Sequence, residues 1–168
     1  YTEEGKRFDR LTAEARKDYR LSASDLDYLY LCTLAPARPE GSAAEAEAFY
    51  LKLLPAAIPS FDLGRKARAV TVLTKKNQAA AARDYYRSIQ EYATQTPELG
   101  SFFAGQGSFG YQPVELLATI IEASRLMGDT ALTAEMQLNL LRHKQTQAWS
   151  NALASANAVY ALLHEATN

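Results

Sequence analysis

Apolar residues recur along this chain at intervals of three and four, the beat of helices that bury one face. No segment alternates in the way a half-buried strand does. Ala46, Phe49, Tyr50, Leu53 and Leu54 share one side of a helix. Ser42 and Glu45 open it as a capping box, and Pro55 then Pro59 end it. Ser24 and Asp27 are placed to cap a shorter helix carrying Leu26, Leu29, Tyr30 and Leu34, which stops before Pro36. Asn77 caps a longer one whose stripe is Ala79, Ala82, Tyr86, Ile89 and Ala93. Pro113, at the first-turn position that tolerates a missing N–H, opens a helix with Leu116, Leu117, Ile120, Ile121 and Met127. Gly128-Asp129 reads as a C-cap followed directly by an N-cap, which forces two helices into a tight antiparallel hairpin. The last helix sets Leu153, Ala156, Tyr160 and Leu163 in register.

Roughly seven or eight helices joined by short turns predict an all-α fold of antiparallel helical hairpins. A weak repeat at about 40 residues sets Phe109-Gly110 against Trp149-Ser150, Thr119 against Val159 and Ala123 against Leu163. The one long irregular stretch, 94–112, holds Gly100, Gly105, Gly107 and Gly110 with Phe102, Phe103, Phe109 and Tyr111. A loop of that length in a helical domain carries function or motion.

Length and composition then narrow the class. The 168 residues, 48% hydrophobic and 22% charged, suit a single globular helical domain spanning 1–168. A net charge of −1 argues against nucleic acid as a partner. The basic run Arg65, Lys66, Arg68, Lys75, Lys76, Arg83 and Arg87, against Asp84 alone, reads as a solvated helix face. No apolar run reaches the length of a membrane span. The lone Cys32, in Leu29-Tyr30-Leu31-Cys32, reads as a small buried hydrophobe. A start at Tyr1, with neither Met nor a leader, suggests a piece of a longer chain.

Candidate chemistry is sparse. Gly105-Gln106-Gly107-Ser108-Phe109-Gly110 matches a dinucleotide fingerprint but lacks the preceding strand, so no cofactor is expected. Asp25 and Asp27 sit at a helix start, where acids serve as caps far more often than as catalysts. His143 and His164 have no histidine partner four residues away, so no metal ligands are assigned. No serine lies in a nucleophile elbow and Cys32 has no evident base, so no catalytic residue is assigned either. Ten tyrosines, notably Tyr28, Tyr30, Tyr85, Tyr86 and Tyr92, suit either the edges of a helix stack or a protein interface.

The C-terminal segment Lys144-Gln145-Thr146-Gln147-Ala148-Trp149-Ser150, with Ala154-Ser155-Ala156-Asn157-Ala158-Val159-Tyr160-Ala161-Leu162-Leu163, carries a family resemblance. It resembles the Lys-Gln-Thr-Gln-x-Trp segment, loop and helix of the bacterial alpha-2-macroglobulin-like family, in the form found in Bacteroidetes envelope proteins. Pro113-Val114-Glu115 with Ile120-Ile121-Glu122-Ala123, and Leu21-Ser22 with Tyr28-Leu29-Tyr30-Leu31, add weaker likeness. The resemblance implies an α/α-toroid or part of one, in an exported, periplasmic or envelope-associated protein that inhibits or traps proteases. Covalent traps of that family carry Cys-x-Glu-Gln; here Cys32 is followed by Thr33, Leu34 and Ala35, so that thioester cannot form at Cys32. The expectation is a non-catalytic toroid segment whose partners are other domains of its parent chain and, by a thioester-independent route, proteases. Phe102, Phe103, Phe109, Tyr111, Gln147 and Trp149 are its candidate interface residues. Such a piece should expose a larger apolar patch than a monomer normally does. The alternatives are an independent helical-repeat binding module and, less well supported, an α/α-toroid carbohydrate-active enzyme drawing on Asp25, Asp27, Tyr111 and Glu115.

Overall fold

The structure, a computed structural model, describes residues 1–94, 113–146 and 152–163. Among the described residues there are nine α-helices and no strand, so the fold is all-α. In chain order they are α1 (Thr2–Asp9), α2 (Ala13–Lys17), α3 (Ala23–Leu34), α4 (Ser42–Ala57), α5 (Leu63–Lys75), α6 (Ala79–Thr94), α7 (Pro113–Leu126), α8 (Thr130–Thr146) and α9 (Ala152–Leu163); a 3-10 turn, Ile58–Ser60, follows α4.

Two hairpins are built by the same device. At the end of α5, Asn77 takes φ +60°; its N–H donates to the Thr74 carbonyl at 3.2 Å, and the Gln78 N–H donates to Leu73 at 2.8 Å. At the end of α7, Gly128 takes φ +75°, with Gly128 N–H on Arg125 at 3.0 Å and Asp129 N–H on Ser124 at 2.9 Å. Both are Schellman endings, which satisfy the last carbonyls and reverse the chain within three residues. The expected Gly128-Asp129 arrangement is present, because the Asp129 carboxylate also accepts the Leu132 N–H at 3.1 Å and starts α8. Asn77 differs from expectation: it ends α5 rather than capping α6. Asparagine is one of the few side chains that enters the left-handed region easily, so its preference served the stop and not the start.

Other caps shift by a residue or two. The capping box of α3 is Ser22 with Asp25, not Ser24 with Asp27. Helix α4 starts from Gly41, at φ +55°, with no side-chain cap, so Ser42 and Glu45 form no box. Pro55 lies inside α4 rather than ending it. Near a C-terminus a proline forfeits one intrahelical bond, and the burial of Leu54 and Ile58 on either side holds the turn.

The helices pack as a row. Helices α3, α5, α7 and α9 touch in sequence, while α4, α6 and α8 each lie against the helix they follow, and α1 packs on α4. The buried residues form one continuous cluster running from Phe8 to Ala161. Helix α5 is at its centre, with Leu63, Ala67, Ala69, Val70, Val72 and Leu73 all buried. The weak repeat at about 40 residues finds no echo in burial: Thr119 and Ala123 are buried, whereas Val159 and Leu163 are exposed.

Thr71 is also buried on α5, and its hydroxyl has no hydrogen-bond partner. A stranded buried hydroxyl costs about 1 kcal/mol or more. Thr71→Val should therefore raise stability by about 1 kcal/mol, read as a higher urea midpoint at unchanged slope. A lower midpoint would show that the hydroxyl is satisfied after all.

Candidate functional site

Both ends of the helix row present apolar side chains to solvent. Helix α8 carries two apolar stripes: Leu132, Met136 and Leu140 face inward, while Ala131, Ala134, Leu138 and Leu141 repeat at 3-4-3 spacing on the outside. That outer spacing is the seam by which helices pack on one another. Helix α9 behaves similarly, burying Ala158 and Ala161 and leaving Val159, Tyr160 and Leu163 outside, Leu163 at 59% exposure. The expected stripe of Ala156, Tyr160 and Leu163 is therefore the outer face, not the core face. Nearly every position from Ala152 to Leu163 is apolar, so periodicity alone cannot select the buried side. Packing chooses the alanines, whose small side chains allow a close approach to α7. At the other end, exposed Tyr1, Leu31 and Leu34 surround an apolar hollow of about 370 Å³ with Tyr28 and Ala35.

The polar side chains, by contrast, are mostly turned inward as helix-to-helix ties. The Asp25 carboxylate is fully buried and accepts from the Ser22 N–H at 2.7 Å, the Ser22 hydroxyl at 2.8 Å, the Tyr19 hydroxyl at 3.0 Å, and the Arg7 guanidinium. Arg7 also donates to Tyr50, whose hydroxyl donates to Glu4 at 2.8 Å. This knot pins α1 to α3 and α4. Glu122 on α7 accepts from Tyr30 of α3 at 2.6 Å and Lys75 of α5 at 2.8 Å, tying three members of the row. Burial first, and the Glu122 charge second, push the Tyr30 phenol well above its ordinary pKa.

The basic run is consequently not a plain solvated face. Arg65 pairs with Asp62, Arg68 with Asp27, Lys75 with Glu122 and Lys76 with Glu47. Acids distant in sequence, Asp27 and Glu122 among them, balance the run, and a local count of charges misses them. The tyrosines follow the same rule. The hydroxyls of Tyr1, Tyr19, Tyr28, Tyr30, Tyr50, Tyr85 and Tyr86 all bond within the chain.

Asp129 closes the α6–α8 contact, accepting from Tyr86 at 2.9 Å and Gln90 at 2.8 Å. Burial pushes its carboxyl up, but the Leu132 N–H, Gln90 and Tyr86 outweigh that and hold it below the usual range. A depressed folded-state pKa stabilises the fold above the unfolded value of about 3.9 and loses that contribution as pH falls through the folded value. Stability should thus drop below about pH 4, and Asp129→Asn should flatten that part of the profile. An identical acid limb in denaturant titrations of the variant would contradict this.

Among the described residues, the acids suggested for catalysis stand in separate settings. Asp25 is enclosed, Asp27 is on the surface with Arg68, and Glu115 is half-buried in the first turn of α7. Cys32 is buried, and burial pushes its thiol up, away from a reactive thiolate. Among the described residues no group of three metal-ligating side chains converges, and no helix is long and apolar enough to cross a membrane. Tyr111 and the interface candidates Phe102, Phe103, Phe109, Gln147 and Trp149 lie outside the described residues, as do the fingerprint from Gly105 to Gly110 and His164. Sequence reading missed the outer faces of α8 and α9. A second 3-4-3 stripe on α8 was the available signal.

Compared with protein-family models, curated proteins and solved structures, the chain matches none.

Proposed function

We propose that this chain is a non-catalytic helical segment of a larger α/α-toroid protein of the alpha-2-macroglobulin-like kind, working by packing against neighbouring helices of its parent. The supporting observation is the α8–α9 end of the row. Each earlier helix of the row, α3, α5 and α7, is followed by a partner helix packed on it. Helix α9 ends the row with Val159, Tyr160 and Leu163 in solvent. In stacked-hairpin architectures a terminal unit needs a polar outer face to stand alone, and the α8–α9 end instead exposes Leu138, Leu141, Val159, Tyr160 and Leu163. A following hairpin would cover the outer stripes of α8 and α9 together.

The family resemblance adds the setting: an exported, envelope-associated protein that restrains proteases. With no Cys-x-Glu-Gln at Cys32, restraint here is steric or conformational and not covalent at that cysteine. The intact parent protein, incubated with a panel of endopeptidases, should slow cleavage of large substrates while leaving small peptide substrates accessible. The complexes should dissociate fully in denaturant. Uninhibited proteolysis of large substrates sinks the protease role, and a denaturant-resistant adduct mapping to this segment sinks the non-covalent route.

A further inference from the structure

Arg83 and Arg87 stand apart from the ion pairs that tie the helices together. Four of the seven basic side chains from Arg65 to Arg87 are engaged with acids. Arg83 and Arg87 are exposed, form no ion pair among the described residues, and stand one turn apart on the same face of α6. Both border a hollow of about 390 Å³ between α6 and the turn into α8, floored by Tyr86 and Met127 and closed by Gln90, Gly128 and Asp129. The Asp129 carboxylate on its wall is occupied from within, by Leu132, Tyr86 and Gln90, and does not turn to either guanidinium.

We propose that this hollow binds an acidic peptide segment through two carboxylates spaced about one helical turn apart. Guanidinium forks donate bidentately to carboxylates, and residues four apart on a helix stand about 6 Å from one another, which matches two acids on a partner and not one compact anion. Asp129 sharpens that choice. A phosphate dianion concentrates its charge in the hollow that Asp129 also lines, whereas two carboxylates four residues apart spread theirs over both guanidiniums. Half-buried Met127 gives the methylenes of glutamate side chains an apolar contact. This assignment stands on α6 and the α7–α8 turn, and does not depend on the α8–α9 end or on the family resemblance.

The test is a titration of the chain, followed by the amide resonances of Gly128 and Asp129. The probes are a capped helical heptapeptide with two glutamates four residues apart, its glutamine counterpart, and inorganic phosphate. The glutamate peptide should give saturable shifts, and raising salt to about 0.5 M should weaken it severalfold, since exposed charges are screened. Arg83→Gln with Arg87→Gln should weaken it about tenfold or more, the loss of roughly 1.4 kcal/mol or more. Both side chains are exposed, so the variant should keep its helical circular dichroism; the single Arg87→Gln and the salt series carry the test if it does not. Equal binding of the glutamine peptide, unchanged binding by a folded variant, phosphate binding as tight as the peptide, or no saturable shift would each overturn the proposal.

Discussion

Replacing Tyr50 with alanine should cost the fold about 4 kcal/mol, in the range measured for deleting a buried aromatic ring. Tyr50 is fully buried, and the rings of Tyr19, Phe49, Phe8 and Tyr28 stand 5.7, 5.8, 6.2 and 6.2 Å from it. Those contacts join α1, α3 and α4 and the Tyr19 turn, so the void cannot close by moving one side chain. Its hydroxyl is 2.8 Å from Glu4 and 3.0 Å from Arg7. Tyr50→Phe keeps the ring and loses only these bonds, so it should cost about 1–2 kcal/mol. For a domain whose total stability is of order 5–15 kcal/mol, the alanine variant falls near the threshold of folding. Urea unfolding checks the pair; a Tyr50→Ala loss below that of Tyr50→Phe would contradict the ring's central place.

Asp25→Ala should be the second most damaging change, at about 3 kcal/mol. It removes the capping carboxylate of α3 and leaves the Arg7 guanidinium and the Tyr19 hydroxyl facing a void. Breaking one side of such a pair costs more than the pair contributes, because the remaining charge has lost its partner. Arg7 is 41% exposed and can turn to water once Asp25 is gone, so much of this loss comes from the cap; Arg7→Met instead strands the fully buried carboxylate and should cost about as much. Urea unfolding checks the two variants; a loss below about 1 kcal/mol for Asp25→Ala would contradict the role of this carboxylate as cap and tie.

The all-α class and the Gly128-Asp129 hairpin were legible because they depend on local preferences: three- and four-residue spacing, a positive-φ glycine and an N-capping acid. Cap positions slipped at Ser22, Gly41 and Asn77 for the reason that serine, aspartate and asparagine serve several turn types, and tertiary contacts choose among them. Burial of Asp25 is one such choice, fixed by an arginine 18 residues away. The basic run looks like a solvated face in sequence because acids that balance it, Asp27 and Glu122 among them, come from other helices. The outward face of α9 was hidden by an excess of apolar residues, a pattern that fits burial on either side. No residue pattern marked the Arg83–Arg87 hollow, since its walls come from two elements 40 residues apart in sequence.

Helix α9 packs on α7 with Val159, Tyr160 and Leu163 in solvent, and the proposed function requires a further hairpin to cover them. Amide hydrogen exchange over Val159 to Leu163 tests it most directly, compared between this chain and the intact parent protein. Packing of a further hairpin on the outer faces of α8 and α9 should slow exchange there by about tenfold or more in the parent, with α5 unchanged. Equal α9 rates in both would mean that Val159, Tyr160 and Leu163 are simply surface, and would contradict the proposed packing.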